Sequence, residues 1–119
     1  MNIYKCEHCG AILEVITGGS VCCGQTMKQL VPGTSDGAAE KHVPVYEAKD
    51  GRVFVKVGSA EHPMTEAHYI EWIAIETNQG VQRKNLKPTD KPQAEFALAT
   101  GETVKEVYAY CNLHSLWKA

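Results

Sequence analysis

Residues 42–57 read HVPVYEAKDGRVFVKV, and this stretch decides the fold class. Val53, Val55 and Val57 alternate with Phe54 and Lys56, the period of two with which a strand sends successive side chains to opposite faces. β-Branched residues suit such a pleated, half-buried surface. Asp50-Gly51 separates a first segment, His42 to Ala48, from a second, Arg52 to Val57, as a tight hairpin turn does. Working outward, similar segments run from Tyr69 to Thr77, Val81 to Leu86, Gln93 to Leu98 and Val104 to Asn112. Asn78-Gln79-Gly80, Pro88 with Pro92, and Thr100-Gly101 punctuate them. Strands at this spacing predict an all-β fold whose larger part is an immunoglobulin-like antiparallel β-sandwich.

Upstream of that region, Pro32-Gly33-Thr34-Ser35-Asp36-Gly37 has the composition of a linker, which places residues 1–36 in a small first domain and residues 37–119 in a second. Within the first, the apolar runs Ala11 to Ile16 and Met27 to Val31 flank Gly18-Gly19 and predict a minimal hairpin wrapped around a metal. Chains below roughly 40 residues seldom bury enough apolar surface to fold without a disulfide, a metal or a partner. Four of the five cysteines lie before residue 24, so a metal is the expected answer.

A net charge of −2 and the absence of a Lys/Arg stripe argue against nucleic-acid binding. The first ten residues contain no apolar core of signal-peptide length, and no stretch approaches the roughly 18 apolar residues of a membrane span. The expectation is a cytoplasmic protein, in which thiols stay reduced and clustered cysteines bind metal.

Cys6-x-x-Cys9 is a spacing at which a tight turn aims two thiolates at one ion, and Gly10 after it admits backbone conformations that a Cβ hinders. Cys22 and Cys23 are adjacent, so their side chains are expected to diverge and to distort the tetrahedron they complete; Gly24 follows them. Four thiolates suit zinc or iron, and a purely structural zinc knuckle or a vicinal disulfide are the competing readings. His8 lies between the first two cysteines and reads as solvent-facing. Tyr4-Lys5-Cys6-x-x-Cys9-Gly10 followed by Val21-Cys22-Cys23-Gly24 resembles desulforedoxin, a small iron protein, although the Gly18-Gly19-Ser20 connection is shorter than that family's usual loop.

The fifth cysteine opens a second constellation. Cys111-x-x-His114 can bring two ligands to one metal, and His42, His62 and His68 then need only converge on it. His62 and His68 stand six apart, which on a helix is about 240° around the axis, so a loop is their better host. His42 is expected at the start of the first sandwich strand. The segments Glu40 to Val45, His62-Pro63-Met64, His68 to Ile73 and Cys111 to His114 together resemble the catalytic domain of superoxide reductase. With the N-terminal motif, the resemblance runs over nearly the whole chain to desulfoferrodoxin, the two-iron form. One departure is Ser115, where that family commonly has Gly; a positive φ there would strain Ser mildly.

The resemblance implies two irons per chain, one held by Cys6, Cys9, Cys22 and Cys23, with zinc possible there by mis-loading. The other is held by His42, His62, His68 and His114 in a plane, with Cys111 axial and the opposite position open. It implies reduction of superoxide to hydrogen peroxide in oxidative-stress defence, with Lys41 attracting the anion and Glu40 ligating the ferric ion once peroxide has left. Trp72 and Trp117 read as packing. A rubredoxin-like electron donor and a homodimer are implied as well. The alternatives are a rubredoxin-like electron-transfer protein without superoxide chemistry, a zinc-stabilised binding module, and a superoxide dismutase.

Overall fold

The alternation in Arg52–Val57 is what the computed structural model, which describes residues 1–119, carries into space: Val53, Val55 and Val57 are buried while Arg52, Phe54 and Lys56 face outward. The chain divides into two compact units, Met1–Val31 and Pro32–Ala119. In the second, β7 (Arg52–Val57) is the middle strand of a three-stranded antiparallel sheet with β6 (Pro44–Lys49) and β10 (Gln93–Ala97). Asp50 and Gly51 join β6 to β7 with φ of 53° and 73°. Positive φ at both central residues is the mark of a type I′ hairpin turn. The facing sheet is four-stranded, in the order β12 (Ser115–Lys118), β11 (Val104–Cys111), β8 (Ile70–Thr77), β9 (Gly80–Asn85).

Between the sheets lie Val53, Val55, Val57 and Phe96 from one side and Ile70, Ile73, Ile75, Val107, Ala109 and Cys111 from the other. Each fully buried Val, Ile or Phe contributes about 1.5–3 kcal/mol relative to exposure, so this core supports the sandwich without any metal. Cys111 is thus both the last residue of a central strand and a member of the core. On the outer side of β11, Tyr110 stacks on Trp72 of β8 at 5.6 Å, which settles Trp72 as packing.

Three expectations about this unit need correction. His42 does not begin a strand: it ends α1 (Ala39–His42), a single helical turn, and the strand starts at Pro44. A final strand, β12, was not foreseen. The linker-like stretch also belongs in part to the sandwich, since the Gly33 N–H donates to the Leu116 carbonyl at 2.9 Å.

The first unit is not one hairpin. β1 (Ile3–Lys5) is the middle strand between β2 (Ile12–Glu14) and β5 (Lys28–Gln29), so the two apolar runs flank a third strand instead of pairing with each other. β3 (Val21–Cys22) and β4 (Gln25–Thr26) form a separate hairpin whose turn is Cys23-Gly24. Only Ile3, Cys6 and Met27 are buried apolar residues here, too few for an independent core. No helix of the structure is long and apolar enough to cross a membrane.

Candidate metal centres

In the first unit, Cys6 follows β1 directly, and its sulfur receives the Cys9 N–H at 3.5 Å. Cys9 closes the same turn. The second pair is brought in by the β3–β4 hairpin. Cys23 has φ 54° and Gly24 φ 72°, the two positive values of a type I′ turn. That conformation corrects the expected divergence: in extended backbone adjacent side chains point to opposite faces, whereas the left-handed Cys23 turns its sulfur back to 3.8 Å from that of Cys22. Cys9 Sγ lies 3.7 Å from Cys22 Sγ, and all four sulfurs fall within 4.8 Å of one another. A tetrahedron with metal–sulfur bonds of about 2.3 Å has edges of about 3.8 Å, so the spacing fits one ion. It does not fit a vicinal disulfide, whose sulfurs sit about 2.05 Å apart; all five cysteines are free.

The charge state agrees. The backbone N–H of Cys9, followed by burial in the opposite sense and the N–H of His8, leaves the Cys6 thiol lowered to about 6. Cys22 is pushed up to about 12 because the Cys6, Cys9 and Cys23 sulfurs crowd it. Four thiols this close ionise together only around a cation. His8 is exposed and outside the group.

The second centre draws on four separate segments. α1 presents His42, the loop between β7 and β8 presents His62 and His68, β11 ends on Cys111, and the turn into β12 presents His114. Neighbouring imidazoles stand nearly perpendicular around a ring: His42–His62 at 4.7 Å, His62–His68 at 4.6 Å, His68–His114 at 5.1 Å and His114–His42 at 4.7 Å. The diagonal, His42–His68, is longer at 6.3 Å, as for opposite corners of a square. Cys111 Sγ lies 3.8 Å from His114 Nδ1, and its group with His42, His62 and His68 again falls within 4.8 Å.

The protonation pattern indicates what belongs in the middle. His42 Nδ1 donates to the Ala38 carbonyl at 2.8 Å, and His62 Nδ1 to the Pro63 carbonyl at 2.7 Å. A carbonyl only accepts, so in both neutral rings the hydrogen is on Nδ1 and the lone pair on Nε2. Those two Nε2 atoms face each other at 3.2 Å, acceptor against acceptor, and His42 Nε2 also lies 3.1 Å from His114 Nδ1. Protonation would relieve the clash but is disfavoured: burial lowers the pKa of His42, and burial followed by the neighbouring imidazoles takes His62 to about 4. His68 is likewise lowered by burial, and its Nε2 is buried with no hydrogen-bond partner. Burial also raises Cys111, which favours the neutral thiol until a cation arrives. A metal ion removes all of these conflicts, and the donor set fits one.

Two family models match the chain: Desulfoferrodoxin over residues 34–119, and Desulfoferrodoxin, N-terminal domain, over residues 1–30. The chain belongs to the desulfoferrodoxin family. It is 51% identical to the desulfoferrodoxin of Nitratidesulfovibrio vulgaris, with 99% of this chain and 94% of that one covered. It is 49% identical to a desulfoferrodoxin homolog of Archaeoglobus fulgidus, over all of this chain and 96% of that one. Among solved structures, the superoxide reductase of Treponema pallidum superposes with a TM-score of 0.82 at 39% identity, covering 98% of each chain. Membership in the desulfoferrodoxin family implies iron as the metal.

The sequence marked Trp117 only as packing and passed over Asn112, and both shape this desulfoferrodoxin site. Trp117 stacks on His42 at 4.9 Å and donates its Nε1–H to the His114 carbonyl at 2.8 Å, so it is a wall of the site and not packing alone. Asn112 accepts the Tyr69 N–H at 2.9 Å and donates to the Ala67 carbonyl at 3.0 Å, tying the His68 loop to the Cys111–His114 turn. Its place inside Cys-Asn-Leu-His was the available signal. The register slips between Tyr110 and Cys111, a bulge that re-aims the strand end where Cys111 sits. Ser115 does adopt a positive φ, 65°. Glu40 and Lys41 are exposed on α1, and Lys41 borders an open hollow of ≈ 430 Å³ together with His62, Pro63 and Lys91.

Proposed function

We propose that this chain is a superoxide reductase whose catalytic metal is held by His42, His62, His68, His114 and Cys111. The observation that carries the reading is the opposed pair of His42 and His62 lone pairs in a ring of four imidazoles that also contains the orphaned His68 Nε2. When bound, iron cycling between +2 and +3 supplies the single electron that, with superoxide and two protons, makes hydrogen peroxide. The chain's own residues prepare that chemistry. Ala38 and Pro63 fix the tautomers of two imidazoles. The thiol of Cys111 is deprotonated on coordination, which places an electron-rich sulfur on the metal. Lys41 would raise the local concentration of the anionic substrate, and Glu40 would supply a further carboxylate ligand to the metal.

The reading assigns residues 37–119 to catalysis and residues 1–36 to a second iron, held by Cys6, Cys9, Cys22 and Cys23, that resembles an electron relay. It extends, on the family alone, to a rubredoxin-like donor, a homodimer and a cytoplasmic role in oxidative-stress defence. Product stoichiometry of the iron-loaded protein with excess reductant is the test. A reductase yields one peroxide per superoxide and no oxygen; a dismutase releases oxygen; an electron-transfer protein leaves superoxide decay at its spontaneous rate.

A further inference from the structure

Gly58 is buried, and it lies against α1 more closely than any residue with a side chain could. A Cβ built on it meets the Glu40 carbonyl oxygen at 2.6 Å, the Lys41 carbonyl carbon at 3.0 Å and the Glu40 carbonyl carbon at 3.1 Å. Ordinary carbon contacts begin near about 3.5 Å. Each clashing atom is backbone, so no side chain can swing aside to make room. The two residues that follow hold the same carbonyl: the Ala60 N–H donates to Glu40 O at 2.8 Å and the Ser59 hydroxyl at 3.3 Å. The same loop then turns into the other half of the site, where the His62 N–H donates to the Val57 carbonyl at 2.9 Å.

We propose that Gly58, with Ser59 and Ala60, is a positioning element that seats the turn carrying Glu40, Lys41 and His42 and so sets the separation of the His42 and His62 donor atoms. The turn is too short to hold itself: α1 has four residues, and its N-cap residue Ala38 makes no side-chain cap. Beside its own bonds, Lys41 N–H to the Ala38 carbonyl at 3.1 Å and Val43 N–H to the Ala39 carbonyl at 2.9 Å, and the Trp117 stack on His42, the turn is held from outside by the clamp on the Glu40 carbonyl. Because His62 hangs from the same loop, displacing the turn relative to Gly58 changes the 3.2 Å between the two Nε2 atoms. The absence of a Cβ at position 58 is thus a geometric requirement of the metal site. This inference rests on His42 and His62 being ligands, as proposed above.

The test is competition for ferrous iron between a chromogenic chelator and the full chain, with the four-cysteine centre as internal standard. In Gly58→Ala the second centre should bind iron about 10–100-fold more weakly, the scale seen when a group that orients a ligand is lost, while the first centre is unchanged. Native-state exchange of the Ala60 amide should quicken at the same time, with the core amide of Ala74 unaffected. Should Gly58→Ala fail to fold, Ser59→Ala adds no atom and is expected to weaken iron at the second centre by about twofold, the low end for one hydrogen bond. Unchanged affinity and unchanged Ala60 exchange overturn the inference. His42→Ala separates the two possible failures: if it also leaves affinity intact, the assignment of the ligands is wrong; if it abolishes binding while the loop variants do not, only the role of the loop is wrong.

Discussion

The two centres of this chain solve the problem of gathering ligands in opposite ways. The four cysteines are exposed or half-exposed apart from Cys6, come from two tight turns, and sit in a unit with three buried apolar residues. The second centre takes buried His42, His62 and Cys111 and half-buried His68 and His114 from four segments anchored on a sandwich whose inner faces pack Val, Ile and Phe. In the first, with so little apolar burial, metal binding is expected to supply most of the folding free energy. In the second, the scaffold folds on its own core, and the site is a set of unmet demands that the scaffold holds in place. A metal site can therefore be the core of a domain or be imposed on one, and whether the unit has an apolar core of its own tells the two apart.

The sharpest way to break this comparison is Cys9→Ser. It should cost the first unit its metal and its fold, seen as loss of amide protection over residues 1–31, because structural metal binding supplies on the order of 10 kcal/mol that this unit cannot replace. The second centre should keep its metal and its reaction with superoxide when an artificial reductant is supplied. Loss of both centres would mean that the units are not independent. Next in size is Cys111→Ser, which removes the sulfur from the second centre without removing its scaffold. Visible charge-transfer absorption and most of the superoxide activity should vanish while β-sheet circular dichroism is retained; persistence of the colour would show that Cys111 is not a ligand.

Lys41→Ile sharpens the contrast in exposure. The second-order rate with superoxide should fall between about threefold and about a hundredfold, the span for a unit charge pair ~6 Å apart between a water-like and a protein-like dielectric. The salt dependence of the rate should flatten too, since steering of an anion is screened. Equal rates and salt slopes in pulse radiolysis would return Lys41 to a solvated surface residue.

Acid provides a gentler probe. His62 is held at about 4 in the fold against 6.5 otherwise, because burial disfavours its charged form. Above pH 6.5 neither state of the chain is protonated there, and stability is full. As pH falls from 6.5 towards 4 the unfolded chain takes up a proton that the folded one refuses, so the stability of metal-free protein declines through that window. Urea midpoints followed by the fluorescence of Trp72 and Trp117 should show the decline, and His62→Gln should reduce it.

The smallest effect expected is at Ser115. A left-handed backbone costs a residue with a Cβ about 1–2 kcal/mol, and the extra freedom of glycine in the unfolded chain returns about 0.5–1 kcal/mol of that. Ser115→Gly should stabilise the second unit by at most about 1.5 kcal/mol in denaturant unfolding.

Much of this was legible before the structure. Strand periodicity at Val53–Val57 and the Asp50-Gly51 turn located the sandwich, because a half-buried strand writes its two faces into alternate letters. The histidines and cysteines of both centres were legible because few other arrangements account for so many borderline ligands. What escaped was set by contacts distant in sequence. β1 became visible only as the partner of β2 and β5, and Leu116-Trp117 only as the partner of β11. Ala38-Ala39-Glu40-Lys41 holds good helix formers, but four residues are too few to show a period, so His42 was assigned to the strand that follows. Nothing in the letters around Gly58 announces that Glu40 lies against it.

The Cys23-Gly24 turn bears on which lengths of chain this family can tolerate. Both positive-φ positions are consumed by two residues, one of them a cysteine of the four-sulfur group, and the flanking pairs Cys22–Gln25 and Val21–Thr26 fix the register on either side. A single inserted or deleted residue between Val21 and Thr26 shifts one cysteine to the wrong face of the hairpin. Gly18 and Gly19, by contrast, lie between β2 and β3 and outside every strand pair. Length variation among relatives should therefore collect at Gly18-Gly19-Ser20 and avoid the cysteine pair, and the former is the place to splice in a tag or a fluorophore without disturbing either centre.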